Sequence, residues 1–200
     1  NIGATTPLDY LISSGTGTTT LKSASVVVAG NIDFAAPLTL AAPVSGTLIS
    51  ITAGNLLLAT SGNQVTGGSM DLSINLSGAS YLPIDGALWT GLKSLTTSAT
   101  TPAWLSGFIT LNGVANSTGA IFNGVASLMG NTTITTTSSP IRFANTVNGP
   151  YTLTVTTGSA TGGSVAYTNG TNGVGAKLTV TGGTTIIAGL NAVCGIDGDL

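Results

Sequence analysis

The chain has no histidine and no glutamate, a single cysteine, and only four basic residues among its 200. Without histidine, a Ser/His/Asp or Cys/His nucleophilic arrangement cannot be assembled within it, and acid–base work would fall to Asp, Lys, Tyr or Cys. Lys22, Lys93, Arg142 and Lys177 are scattered, so no phosphate-binding patch forms and nucleic acid is not an expected partner. Cys194 is alone. It excludes an intrachain disulfide and a Cys/His metal cluster, and leaves a buried thiol or an intermolecular bridge. No apolar run approaches the roughly 18 residues of a membrane-spanning helix; the richest, Phe34 to Val44, is broken by Pro37 and Pro43. Charged residues make up 5% of the chain, against about 25% in ordinary domains. The near-absence of Glu and Lys removes the usual residues of exposed helices.

Thr, Gly, Ser, Ala and Asn take the place of charge. Thr suits strands and Gly suits turns, so a nearly all-β fold is expected. A hydrophobic fraction of 42% and a positive mean hydropathy argue against disorder, which couples low hydrophobicity to high charge. Two hundred residues suffice for one large domain or two small ones with a real core. A surface so poor in charge is kept wet by hydroxyls and amides, or is covered by neighbouring subunits. Both fit an assembly whose partners are copies of this chain or other subunits. Asn1 in place of Met implies a processed chain or a piece of a longer one.

Period-two alternation recurs along the sequence. In Tyr151-Thr-Leu-Thr-Val155 and Ala176-Lys-Leu-Thr-Val180 the apolar residues share one face and the threonines the other, the signature of a half-buried strand. Met70 to Leu76 alternates in the same way. Further strand candidates lie at 25–29, 32–34, 38–40, 48–52, 55–59, 108–111, 120–122, 132–136 and 141–143. Apolar runs beginning near Val26, Leu48, Met70, Leu153 and Leu178 return at intervals of roughly 20 to 25 residues, a length that suits one coil of a solenoid. The favoured fold is a parallel β-solenoid, with a β-sandwich or jelly roll as the alternative. Residues 1–20 read as an extended arm able to add a strand to a neighbour's open edge, or as a terminus packed on its own domain. Residues 21–200 form the β-rich body. Within it, Leu88, Leu92 and Leu95 fall at helical spacing beside Trp89, so 81–105 is expected to hold an irregular or short helical insertion.

Sites are few. Tyr81, Trp89, Trp104 and Phe108 cluster in sequence and are candidates for a sugar-stacking platform or for interface anchors. Asp197-Gly-Asp199 has the spacing that begins a calcium loop, so calcium is the one cofactor considered. Asp33, Asp71 and Asp85 are the carboxylates available for a glycosidase-like pair, although turn and cap roles explain them. A Ser–Lys pair could draw on Lys22, Lys93 or Lys177. Thr132 to Thr137 and Thr152 to Thr157 suggest threonine ladders, a surface able to order water or bind ice. No local motif points to catalysis, and a non-enzymatic role is expected.

The stretch Ile141 to Gly158, IRFANTVNGPYTLTVTTG, resembles the repeats of filamentous-haemagglutinin-like and autotransporter adhesins, and Ser50 to Leu58 looks like a weaker copy. That resemblance implies a secreted β-solenoid fibre of a bacterial cell surface, with a glycan receptor as a partner. Tyr167 to Thr179 with Ile196-Asp-Gly198 is similar to a stretch of phage tail-fibre and other virion proteins, which implies a place on a virion surface. Both imply extracellular β structure used for attachment or assembly.

Overall fold

The computed structural model describes residues 1–44, 46–58, 64–78, 81–113, 118–137, 139–149 and 151–157, and the backbone of strands Ser164–Tyr167, Leu178–Thr181, Thr184–Ile187 and Ile196–Asp197. It is all-β, and every strand pairing is parallel. The chain winds as a β-solenoid in which each coil lays strands on successive faces and the next coil stacks on the last. Among the described residues no helix is long and apolar enough to cross a membrane.

Three faces recur. The first carries Leu11–Ser13, Asn31–Phe34 and Asn55–Leu58, the second Thr19–Leu21, Leu38–Leu40, Val65–Thr66 and Trp89–Thr90. The third is an eight-stranded sheet: Ser25–Val27, Leu48–Ala53, Asp71–Leu76, Ser94–Thr97, Ala120–Phe122, Ile141–Phe143, Ser164–Tyr167 and Thr184–Ile187. From Leu82–Asp85 onward a new sheet takes over the first face. Its next members, Ala103–Leu111 and Ala126–Thr136, bend around a corner and continue onto the second face. The bend is marked by a register shift between Leu105 and Gly107, and the Asn112 N–H bonds the Leu92 carbonyl of the coil before.

Alternation explains which side chains go inside. On the third face Val26, Ile51, Ile74, Thr97, Phe122 and Phe143 align coil upon coil, and all six are buried. Beside them runs a second inward column, Ile49, Leu72, Leu95, Ala120 and Ile141. Phe122 and Phe143 stack with ring centroids 5.2 Å apart. Each fully buried Ile, Leu or Phe contributes about 1.5–3 kcal/mol relative to exposure. The aligned pairs Val26–Ile51, Ile51–Ile74 and Ala120–Ile141 keep the coil length within the expected range of roughly 20 to 25 residues. Corners use glycine where nothing larger fits: at Gly119 φ is +74°, and a Cβ would lie 2.0 Å from the Pro140 carbonyl oxygen.

Two expectations are corrected. Residues 81–105 contain no helix among the described residues; they form Leu82–Asp85, Trp89–Thr90, Ser94–Thr97 and the start of Ala103–Leu111. The helical spacing of Leu88, Leu92 and Leu95 is a coincidence of short strands and a corner. Leu88 precedes the strand Trp89–Thr90, Leu92 follows the corner at Gly91, where φ is +70°, and Leu95 lies within Ser94–Thr97, so the three leucines belong to separate segments that turn inward in succession. Of the two readings of residues 1–20, the terminus packed on its own domain holds and the extended arm does not. Ile2 bridges Val26, Leu8 bridges Val28, Leu11–Ser13 pairs with Asn31–Phe34 and Thr19–Leu21 with Leu38–Leu40. This segment is the first coil, and it satisfies the edge of the third face within its own chain.

Thr97 is the exception in its column: its hydroxyl is buried without a hydrogen-bond partner among the described residues. An unsatisfied buried hydroxyl costs about 1–3 kcal/mol. Thr97→Val is therefore expected to stabilise the chain by about 1 kcal/mol in urea unfolding, whereas Phe122→Ala should destabilise it by about 3–5 kcal/mol. A destabilised Thr97→Val chain would show that the hydroxyl is satisfied after all.

Candidate functional site

The four aromatics singled out from sequence have three different fates. Trp89 lies in the inward column of the second face, aligned with Val65 and through it with Leu38. It is 3% exposed, and its indole N–H has no hydrogen-bond partner. It is a core residue and cannot reach a ligand at the surface. Tyr81 and Trp104 come together. Leu82, Ala103 and Leu105 point inward, so their neighbours Tyr81, Pro83 and Trp104 point out. The Tyr81 and Trp104 rings stack with centroids 4.6 Å apart and 19° between planes, and they remain 42% and 39% exposed. Phe108, 75% exposed, follows the bend of its strand onto the second face. It aligns there with Thr133, so it does not belong to the same plate.

What sequence reading could not supply was the company Trp104 keeps. Register places it between Pro83 and Ser127, and Ser127 aligns in turn with Asn148. Ser127 and Asn148 lie more than twenty residues downstream of Trp104 and of one another, so no local pattern joins them. Only the coil length, fixed by the corners, does.

The main charged feature is elsewhere, at the corner of the second and third faces. Asp71 accepts hydrogen bonds from Thr47 Oγ1 at 2.8 Å and Lys93 Nζ at 3.0 Å on one oxygen, and from Ser94 Oγ at 2.6 Å on the other. Three consecutive coils contribute, because Leu48 and Ser94 both align with Asp71. Burial acts to raise the Asp71 pKa, but the hydrogen bonds from Ser94, Lys93 and Thr47 and the charge of Lys93 outweigh it, leaving the carboxyl below its ordinary 3.8. Lys93 Nζ and Ser94 Oγ both donate to this carboxylate, whereas a Ser–Lys dyad needs the serine hydroxyl to donate to the lysine amine.

The other candidates are not gathered. Asp33 sits on the first face and Asp71 on the third, while Asp85 caps its own corner by accepting the Ala87 N–H at 2.9 Å. The side chains of Asp197 and Asp199, like those of Lys177 and Cys194, lie outside the described residues. Threonines do form columns on the second face. Thr20, Thr39, Thr66 and Thr90 align on successive coils, and Thr110, Thr135, Thr156 and Thr181 align on later ones. No protein-family model, characterised protein or solved structure matches the chain.

The Asp71 node has a pH signature. A carboxyl depressed in the folded chain contributes stability that is present above its unfolded pKa and lost as pH falls through its folded one. The melting temperature is expected to fall on acidification below pH 3.8. Asp71→Asn should lower stability at neutral pH and flatten that acid limb. An acid limb unchanged in Asp71→Asn would place its origin in other carboxylates.

Proposed function

We propose that the chain is a structural segment of an extracellular fibre, read first as part of a bacterial surface filament or adhesin. The observation that carries this reading is the eight-stranded parallel sheet of the third face. Over its first six strands the inward residues match from coil to coil, and Asp71 and Arg142 are the only charged residues. In such a stack each coil depends on its nearest neighbours alone, so length can be added without redesign of the core. The outward column Ser25, Ser50, Ser73 and Thr96 offers hydroxyls to a neighbour. A subunit docking there has few ions to strip of water, which is the costly part of burying a charged surface. The partners in this reading are copies of the same chain or other subunits of the fibre, and its place is the cell surface.

Negative-stain electron microscopy of the protein as it occurs in its source tests the reading. Filaments with a regular axial repeat, decorated by antibody to this chain, are the expected result. Dispersed monomers, or label confined to tailed virions, would overturn the bacterial-fibre reading.

A further inference from the structure

We propose that the stacked rings of Tyr81 and Trp104 are the floor of a binding site for a neutral oligosaccharide lying along the solenoid axis. This inference rests on the plate and its surroundings and stands whether or not the chain builds a fibre.

The plate is an unusual use of surface. Two large rings are fixed against each other and left about two-fifths exposed, although the same strands bury Leu82, Ala103 and Leu105 completely on the other side. An aromatic face carries negative charge density and attracts the polarised C–H groups on the flat side of a pyranose. Specific polar groups must then meet the hydroxyls at the sugar's rim, and the column beyond Trp104 supplies them. Ser127 and Asn148 follow on the next two coils, spaced by about 4.8 Å per strand. Neither side chain has a hydrogen-bond partner among the described residues, nor do the Trp104 indole N–H and the Tyr81 hydroxyl. Donors and acceptors therefore continue in a line from the rings, along the direction an extended glycan would take.

Charge selects the class of sugar. No residue of the column Pro83, Trp104, Ser127 and Asn148 is ionised. The nearest charged side chain on those strands, Asp85, is acidic and already accepts the Ala87 N–H. A uronic acid, sialic acid or sulfated sugar would meet that carboxylate with no cation on the described residues of these strands to offset it. A second copy of the chain is the competing occupant. The hydroxyl, amide and indole groups beside the rings favour a hydroxyl-rich ligand over an apolar protein face.

The test is binding of the purified chain to an array of neutral and anionic oligosaccharides, followed by fluorescence titration of the best neutral ligand. Trp104 is the exposed tryptophan and Trp89 the buried one, so a ligand-induced change in emission reports on the plate. Trp104→Ala and Tyr81→Ala are each expected to weaken binding by about tenfold. Trp104→Phe should retain part of it, Asn148→Ala should lose a smaller factor, and Phe108→Ala should lose nothing. Melting temperatures of these variants separate lost binding from lost folding. The proposal is overturned if no neutral glycan binds, if only anionic glycans bind, or if the folded Tyr81→Ala/Trp104→Ala double variant binds as before. It is equally overturned if Trp104→Ala instead abolishes a concentration-dependent self-association of the chain.

Discussion

Register between coils is the constraint on which everything else depends. In a parallel stack each strand takes its hydrogen bonds from the coil before and the coil after, and a slip of one residue would turn every inward side chain out. The columns Val26–Ile51–Ile74 and Ile49–Leu72–Leu95 exist because the chain returns to the same phase after each circuit. Differences in coil length are absorbed at corners. Leu105 aligns with Leu128 but Gly107 with Thr132, so the longer coil accommodates Met129, Gly130 and Asn131 opposite Ser106 alone. The extra residues bulge outward, where Met129 is exposed, and the strands on either side resume their alignment.

The same constraint accounts for the scarcity of charge. In an in-register stack, an outward residue sits about 4.8 Å from its counterparts on the adjoining coils. A repeated Lys or Asp would form a self-repelling column, since like charges directly opposite one another are destabilising. Hydroxyls and amides avoid that cost and can bond one another: the Asn55 amide donates to Asn31 Oδ1 on the coil before at 2.9 Å. Gly78 follows on the next coil, where a Cβ would lie 2.1 Å from Asn55 Oδ1. The asparagine stack therefore ends at a residue with no side chain. Among the described residues the charges that meet across coils are opposite: Lys93, one residue before Ser94, the register partner of Asp71, pairs with the Asp71 carboxylate at 3.0 Å.

Local alternation and recurrence were legible in the sequence, and they carried the fold class. The apolar runs near Val26, Leu48 and Met70 do lie on consecutive coils of one sheet. The segments 81–105 and 1–20 misled for opposite reasons. In the first, short strands separated by corners, at Gly86 and Gly91, produced a helical spacing by coincidence. In the second, a polar, turn-rich composition concealed the pairing, because the partner strands lie further along the chain and the edge being covered is invisible in one dimension. The aromatic candidates divided for the same reason. Nothing in their spacing told which of two tryptophans a strand would turn inward.

That division bears on function. Trp89 and Trp104 belong to successive coils, and parity decides between them: Trp89 shares its inward position with Val65, whereas Trp104 stands between inward Ala103 and Leu105. An outward position in this stack is ordinarily filled by a small polar residue, as Ser127 and Asn148 fill it on the coils that follow. Placing the largest side chain there and pairing it with Tyr81 leaves apolar area in water that a serine would not expose, and it gains no core contact in return. That exposed, stacked pair is what the proposed glycan site would use. The core columns explain how the solenoid stands, and the plate at Tyr81 and Trp104 is the stacked aromatic pair that the described residues leave on its exterior.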